Sequence, residues 1–338
     1  MTENSTRTNA GRPGLQRRTM LAGAASAVLT PAALTAMGSS AGAAPRAPED
    51  DADGTTHRIT MYAEDLGDGQ VGYGLAPGEA TIPGPLLEMY EGDTMEITLV
   101  NTTDQQLSIH PHGVLYDTES DGSPLNASFN KPGETRTYIW RTTGPTSMGR
   151  RTRPGSAGYW HYHDHAMGTP HGTGGITAGL YGGLIVRRAG DILPDRQFTV
   201  VFNGMLINNK IAPDTPMFEA NLGETVEFIC IGHGDMFHTF HMHAHRWANT
   251  RTGYFEGPVD SSEAIDNRDL NPGSSFGFQI IAGEDVGPGA WMYHCHVQFH
   301  SDAGMGGIFL VRNEDGSMPE GAQAAIDRFH SHGGGHDT

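Results

Sequence analysis

The stretch Trp291-Met292-Tyr293-His294-Cys295-His296-Val297-Gln298-Phe299-His300, followed by Met305, sets a cysteine between two histidines and then places a histidine and a methionine close behind. On an extended strand successive side chains point to opposite faces, so Cys295 projects to one side and His294 and His296 to the other. One strand can therefore serve two metal centres. The cysteine side carries the donors of a blue-copper site, which takes two imidazoles, a thiolate and a long axial thioether. Cys295, His300 and Met305 supply three of the four donors. The second imidazole has to come from elsewhere, and His238, at the head of His238-Thr239-Phe240-His241-Met242-His243, is the candidate.

Four pairs of the form His-x-His carry the second signal: His110/His112, His161/His163, His241/His243 and His294/His296. The two-residue strand period brings both imidazoles of a pair to one face, so eight ligands converge if the four strands do. That exceeds what one copper uses and suits a cluster of about three, with positions open to oxygen. A single such pair is more often two ordinary histidines, but four together, one enclosing a cysteine, are not. Cys230, in Glu227-Phe228-Ile229-Cys230-Ile231, reads as core packing, because a disulfide to Cys295 would consume the thiolate.

The chain repeats itself. The run 92–100 leads to His110-Pro111-His112 and the run 223–229 to His241-Met242-His243, while Pro132-Gly133-Glu134 parallels Pro272-Gly273-Ser274 and the run 181–186 parallels 305–310. In this alignment Tyr162 falls on Cys295, Leu107 on His238 and Met167 on His300, so the first half has lost the sulfur site and kept its histidine pairs. Both halves alternate short apolar runs with Gly, Pro, Asn and Asp turns, and no long segment keeps a helical period. The expected fold is all-β, two tandem Greek-key β-sandwiches over 45–190 and 195–315, with the boundary near 189–195.

Residues 1–44 hold Arg17-Arg18, an alanine-rich stretch over 20–37 and the small residues Ala41-Gly42-Ala43, the order of a twin-arginine export signal, so a secreted protein is expected. That stretch is too weakly apolar to span a bilayer stably, and no membrane partner is expected. Residues 316–338 read as a flexible His/Gly-rich tail with His330, His332 and His336. A net charge of −18 excludes nucleic acid as a natural partner.

From about residue 57 to residue 312 the chain resembles the two-domain multicopper oxidases, in particular the bacterial small laccases. The resemblance implies cupredoxin-like domains and four coppers per chain. Type 1 copper would sit on His238, Cys295 and His300 with Met305 axial, type 2 on His110 and His241, and the type 3 pair on His112, His161, His163, His243, His294 and His296. It implies that phenols or aromatic amines give up one electron at a time at the exposed edge of His300. Electrons then pass through Cys295 to His294 and His296, and dioxygen is reduced to water at the trinuclear cluster. A homotrimer, with domain one of each subunit facing domain two of its neighbour, also follows from the resemblance; the residues alone leave a contact within one chain equally open.

Tyr116 and Asp121 lie in the loop over the cluster, where the resemblance links a tyrosine and an acid to electron and proton supply. They read equally as a packed tyrosine and a turn aspartate. Asp164, inside His163-Asp164-His165, is expected to orient a ligand imidazole. Copper nitrite reductase shares the two-domain plan but carries its blue copper in the first domain with a mononuclear catalytic copper, the reverse of this chain. A copper carrier without catalysis is the rival of another class. The 15 methionines are dispersed, without the Met-rich run of cuprous oxidases.

Overall fold

The computed structural model describes residues 54–257 and 259–332, so the export-signal reading of residues 1–44 and the end of the tail, 333–338, lie outside the described residues. Strands Gln70–Gly74, Thr56–Gly67, Thr94–Asn101 and Thr135–Arg141, in that order, make one sheet. Gly84–Tyr90, Tyr181–Arg187, Gly158–His163 and His110–Pro111 make the sheet that shares its core. The second half repeats the plan. Leu206–Ile207, Arg196–Asn203, Thr225–His233 and Ser275–Ile281 match the first sheet strand for strand. Phe218–Asn221, Gly306–Arg312, Gly289–Cys295 and His238–Met242 match the second, with Asn267–Leu270 added at its edge. The chain is all-β in two Greek-key sandwiches, and the internal repeat is a repeat of topology.

Local pattern explains which strands lie where. Thr94–Asn101 alternates, with Met95, Ile97 and Leu99 inward and polar partners outward, as a half-covered strand should. Thr225–His233 does not alternate and is buried from Val226 onward. Its second face is covered by domain one: Ile229, Ile231 and Val201 pack with Tyr159, Tyr181 and Ile185. Each such side chain withdrawn from water contributes about 1.5–3 kcal/mol, so the two sandwiches share a core of their own.

Within that contact lies Glu227, fully buried. It accepts from Arg187 at 2.7 Å, the Tyr159 hydroxyl at 2.6 Å, Gln279 at 2.8 Å and Gln197 at 3.0 Å. Glu88 joins it on the Arg187 guanidinium. Donors from both halves converge on the Glu227 carboxylate, which is what allows a charge pair to sit in an apolar contact.

The position occupied by the sulfur site in domain two is packed solid in domain one. Tyr162 and Leu107 are fully buried, Met167 packs on the same cluster, and the Tyr162 hydroxyl donates to the Pro85 carbonyl at 2.5 Å.

The flexible-tail reading of 316–338 is corrected over part of its length, because Ala322–His332 is a helix. The cause is strand Gly306–Arg312. Phe309 and Val311 enter the core, which leaves Ile308 and Leu310 on the other face, and Ala322, Ile326 and Phe329 cover them at helical spacing.

Candidate metal centres

Strand Gly289–Cys295 lies between His238–Met242 and Gly306–Arg312, with Phe240 opposite Cys295 and His241 opposite His294. Its last residues alternate as the sequence requires: Tyr293 and Cys295 are fully buried, while His294 turns to the half-exposed face. On the buried side the Cys295 sulfur lies 3.7 Å from Nδ1 of His238 and 3.5 Å from Nδ1 of His300. His300 is placed by the short helix Gln298–Asp302, whose following turn closes when Met305 N–H donates to the His300 carbonyl at 3.0 Å. The Met305 carbonyl in turn accepts from Cys295 N–H at 3.0 Å, and Met305 is fully buried in the same cluster as Cys295.

The donor set fits copper. One metal bonded at about 2.0 Å to nitrogen and 2.3 Å to sulfur needs those donors no more than about 4.3 Å apart, and both separations meet that limit. Burial pushes the His238 imidazole down to about 4 and lowers His300, so both are in the neutral form that ligates. Burial pushes the Cys295 thiol up, and a bound metal would deprotonate it.

The histidine pairs gather into two sets. In domain one, ring nitrogens of His110, His112 and His163 all lie within 4.8 Å of one another, with Nε2 of His112 and His163 3.1 Å apart. The His161 ring stacks on His112 at 4.0 Å between centroids, and its Nε2 is buried without a hydrogen-bond partner. In domain two, His241, His243 and His294 form the matching triad, with Nε2 of His243 and His294 3.2 Å apart. The His296 ring lies 5.1 Å from His241.

Hydrogen bonds fix which nitrogen is offered. Nδ1 of His110 meets the Asp121 carbonyl at 2.5 Å, that of His163 the Asp164 carbonyl at 2.6 Å, that of His241 the Asp266 carbonyl at 2.8 Å and that of His294 the Cys295 carbonyl at 2.8 Å. A carbonyl only accepts, so Nδ1 carries the proton and Nε2 keeps the lone pair for a metal. At the sulfur site the opposite nitrogen, Nδ1, is turned inward. Burial lowers His110, His161, His163, His243 and His294, and takes His112 down to about 4, again favouring the neutral ligand form.

The eight pair histidines do not converge within one chain. Among the described residues no ring contact or hydrogen bond joins the domain-one set to the domain-two set, and His243 and His296 are exposed. Tyr116 and Asp121 both stand at His110. The Tyr116 ring is 5.5 Å from it edge-on, and an Asp121 carboxylate oxygen is 3.8 Å from its Nδ1. Burial raises the Tyr116 hydroxyl. For Asp121 burial pushes upward, but hydrogen bonds from Ser123 and Asn126 outweigh it and hold the carboxyl below its usual range.

Asp164 acts differently from the expectation. Its backbone carbonyl, not its carboxylate, orients His163. The carboxylate accepts backbone N–H groups of Ser108 at 2.7 Å, Met167 at 2.7 Å and Ala166 at 3.1 Å, tying the approach to His110 to the loop after His163. The His300 edge is narrow, since the residue is 5% exposed, and it lies beside Phe299, which is 69% exposed.

Three further histidines had no role assigned from the sequence, and His165 had no clear partner there. His165 sits 5.1 Å from the His110 ring. His233 of domain two is buried edge-on against His161 at 5.0 Å, and burial takes it down to about 3. His245 accepts from Gly283 N–H at 3.0 Å and donates to the His243 carbonyl at 3.0 Å, so both its nitrogens are spent on structure. The spacing His241-x-His243-x-His245 was a visible signal for His245. Gly232-His233-Gly234 carried none.

A sulfur-centred site and histidine triads on paired Greek-key sandwiches define a copper protein of the oxidase type. Multicopper oxidase family models match residues 78–191 and 191–315, and the chain belongs to that family as a two-domain member. It is 32% identical over 280 residues to a probable nitrite reductase-hydroxylamine oxidoreductase fusion protein of Kuenenia stuttgartiensis, covering 76% of this chain and 30% of that one. To ferroxidase HEPHL1 of Mus musculus it is 27% identical over 286 residues, covering 70% and 23%. The chain thus spans less than a third of the length of these relatives. A crystal structure of a multicopper oxidase superposes with a TM-score of 0.56 at 25% identity, over 76% of this chain and 88% of that one.

Proposed function

We propose that this protein is a laccase of the small bacterial type, oxidising phenols and aromatic amines and reducing dioxygen to water. The observation that carries the reading is the sharing of one strand end. Cys295 faces a buried pair of imidazoles, and its neighbour His294, hydrogen-bonded through Nδ1 to the Cys295 carbonyl, belongs to a histidine triad on the other face. His238, Cys295, His300 and Met305 would hold one copper. His110 and His241 would hold a second, and His112, His161, His163, His243, His294 and His296 a coupled pair. Copper in these sets supplies one-electron chemistry at the sulfur and four-electron reduction of dioxygen at the cluster.

The chain's own residues account for the rest. Backbone and sulfur of Cys295 form the short covalent link from one centre to the next. Tyr116, whose hydroxyl burial keeps protonated, and Asp121, whose carboxyl stays ionised, flank His110 as a proton donor and a proton acceptor. On the outside, Phe299 and Phe237, 69% and 47% exposed, offer apolar contact next to His300 and His238 for an aromatic donor.

The separation of the two histidine sets in one chain, with the domain-two set facing solvent, supports a homotrimer in which each cluster is closed by a neighbour. Export through the twin-arginine route, delivering a secreted enzyme, completes the reading. Oxygen consumption with a phenol and with ferrous iron, and nitrite consumption with a reduced electron donor, run in parallel with copper analysis, test it. The expected result is rapid uptake with the phenol at four coppers per chain. Turnover of ferrous iron alone, or nitrite reduction at two coppers per chain, would overturn it.

A further inference from the structure

Strand Ser275–Ile281 has two distinct faces. Phe276, Phe278 and Ile280 enter the core of domain two, and Ser275, Gly277 and Gln279 face domain one. Each of these three answers to Tyr159 or its partner. Ser275 Oγ donates to the Tyr159 carbonyl at 2.9 Å. Gly277 leaves room for the Tyr159 ring, which a Cβ there would strike at 2.1 Å. Gln279 donates to Glu227, the carboxylate that accepts the Tyr159 hydroxyl.

With its proton committed to the Tyr159 carbonyl, the Ser275 hydroxyl turns a lone pair toward Nδ1 of His161, 3.2 Å away. An imidazole nitrogen meets an acceptor only as N–H, so Nδ1 is protonated and the buried, unpartnered Nε2 keeps its lone pair. His110, His163, His241 and His294 take the same tautomer from backbone carbonyls of their own domain. His161 takes it from a side chain of the other domain, while His233, also of domain two, braces the ring edge-on at 5.0 Å.

We propose that Ser275 is a positioning residue that fixes His161 in its copper-binding tautomer, so that docking of domain two onto domain one within a chain sets a ligand of the domain-one half-site. The proposal rests on the reading of His161 as a copper ligand. Serine suits the position because its one proton and its lone pair serve the two partners at once, which alanine cannot do.

The test compares Ser275→Ala, Ser275→Thr and Tyr159→Phe, the last removing a hydrogen bond to Glu227 from the same contact while keeping the Tyr159 carbonyl that holds Ser275. Three readouts apply: copper retained against a chelator, the near-ultraviolet absorption of a coupled copper pair, and nitrogen-15 spectra of copper-free protein labelled at histidine. Ser275→Ala is expected to weaken retention of that copper about 10- to 100-fold, to lose the near-ultraviolet absorption while the blue band stays, and to show His161 as mixed tautomers. Ser275→Thr and Tyr159→Phe are expected to keep the parent's behaviour. An unchanged tautomer and copper retention in Ser275→Ala, or an equal loss in Tyr159→Phe, would overturn the proposal. If the parent itself lacks the coupled-pair absorption, the laccase reading fails, and the copper-free spectra still decide the role of Ser275.

Discussion

Two inactive chains should make an active mixture. His112→Ala disables the domain-one set, in which Nε2 of His112 lies 3.1 Å from that of His163. His243→Ala disables the domain-two set, where the corresponding separation to His294 is 3.2 Å. Neither variant should consume oxygen alone. In a closed ring each junction joins domain one of one chain to domain two of the next. Random assembly from equal amounts leaves domain one intact with probability one half and domain two intact with probability one half, so about one quarter of the junctions are whole. The intact domain two of such a junction belongs to a His112→Ala chain, whose Cys295 site is untouched, so every whole junction also has its electron supply. Co-expression with two affinity tags, tandem purification and an oxygen electrode measure the outcome. The expected activity before selection for mixed assemblies is roughly 25% of the parent's. Background activity in mixed assemblies that demonstrably contain both chains would show that the two sets of one chain serve one another, and the intersubunit reading would fall.

Cys295→Ser should abolish the blue band and reduce oxygen consumption with phenols to background while the near-ultraviolet absorption of the cluster remains; survival of turnover would break the proposed electron route. Glu227→Gln places an amide where Arg187, Tyr159, Gln279 and Gln197 all donate. It should cost about 3–5 kcal/mol in urea unfolding of the copper-free protein, and a loss under about 1 kcal/mol would mean the buried network is not what seals the sandwiches. Ile326→Ala, on the helix over Ile308 and Leu310, should cost about 2–4 kcal/mol in the same assay with the blue band unchanged, and a bleached band would tie that helix to the sulfur site instead.

What was legible in the sequence was whatever the two-residue strand period controls. The opposition of Cys295 to its flanking histidines, the pairing within each His-x-His and the repeat of the two halves all depend on neighbours along one strand or on copies of one strand. Long-range contacts were not legible. Nothing near Asp164 in the chain announces that its carboxylate would be claimed by the backbone of Ser108, 56 residues earlier. The claim leaves the peptide carbonyl to hold His163. His233 lies between two glycines and meets His161 only because Thr225–His233 is covered by the other sandwich. The helix Ala322–His332 was hidden for a related reason. Its apolar residues are few, and the demand for it comes from the outward Ile308 and Leu310 of a strand that is apolar on both faces.

The same distinction explains how one half of a duplicated chain could lose a sulfur site while keeping its histidine set. The sulfur face of the strand and its histidine face are independent, because alternate residues build them. Tyr162 fills the position of Cys295 and, with Leu107 and Met167, turns a metal pocket into ordinary core. His161 and His163, one residue to either side, remain on the opposite face, and the hydrogen bonds of their Nδ1 atoms to Ser275 and to the Asp164 carbonyl do not involve that core. Among the described residues a sulfur-centred donor set stands behind the histidines in domain two alone, so in the proposed reading each cluster would draw its electrons through the Cys295 of the chain that contributes the domain-two set.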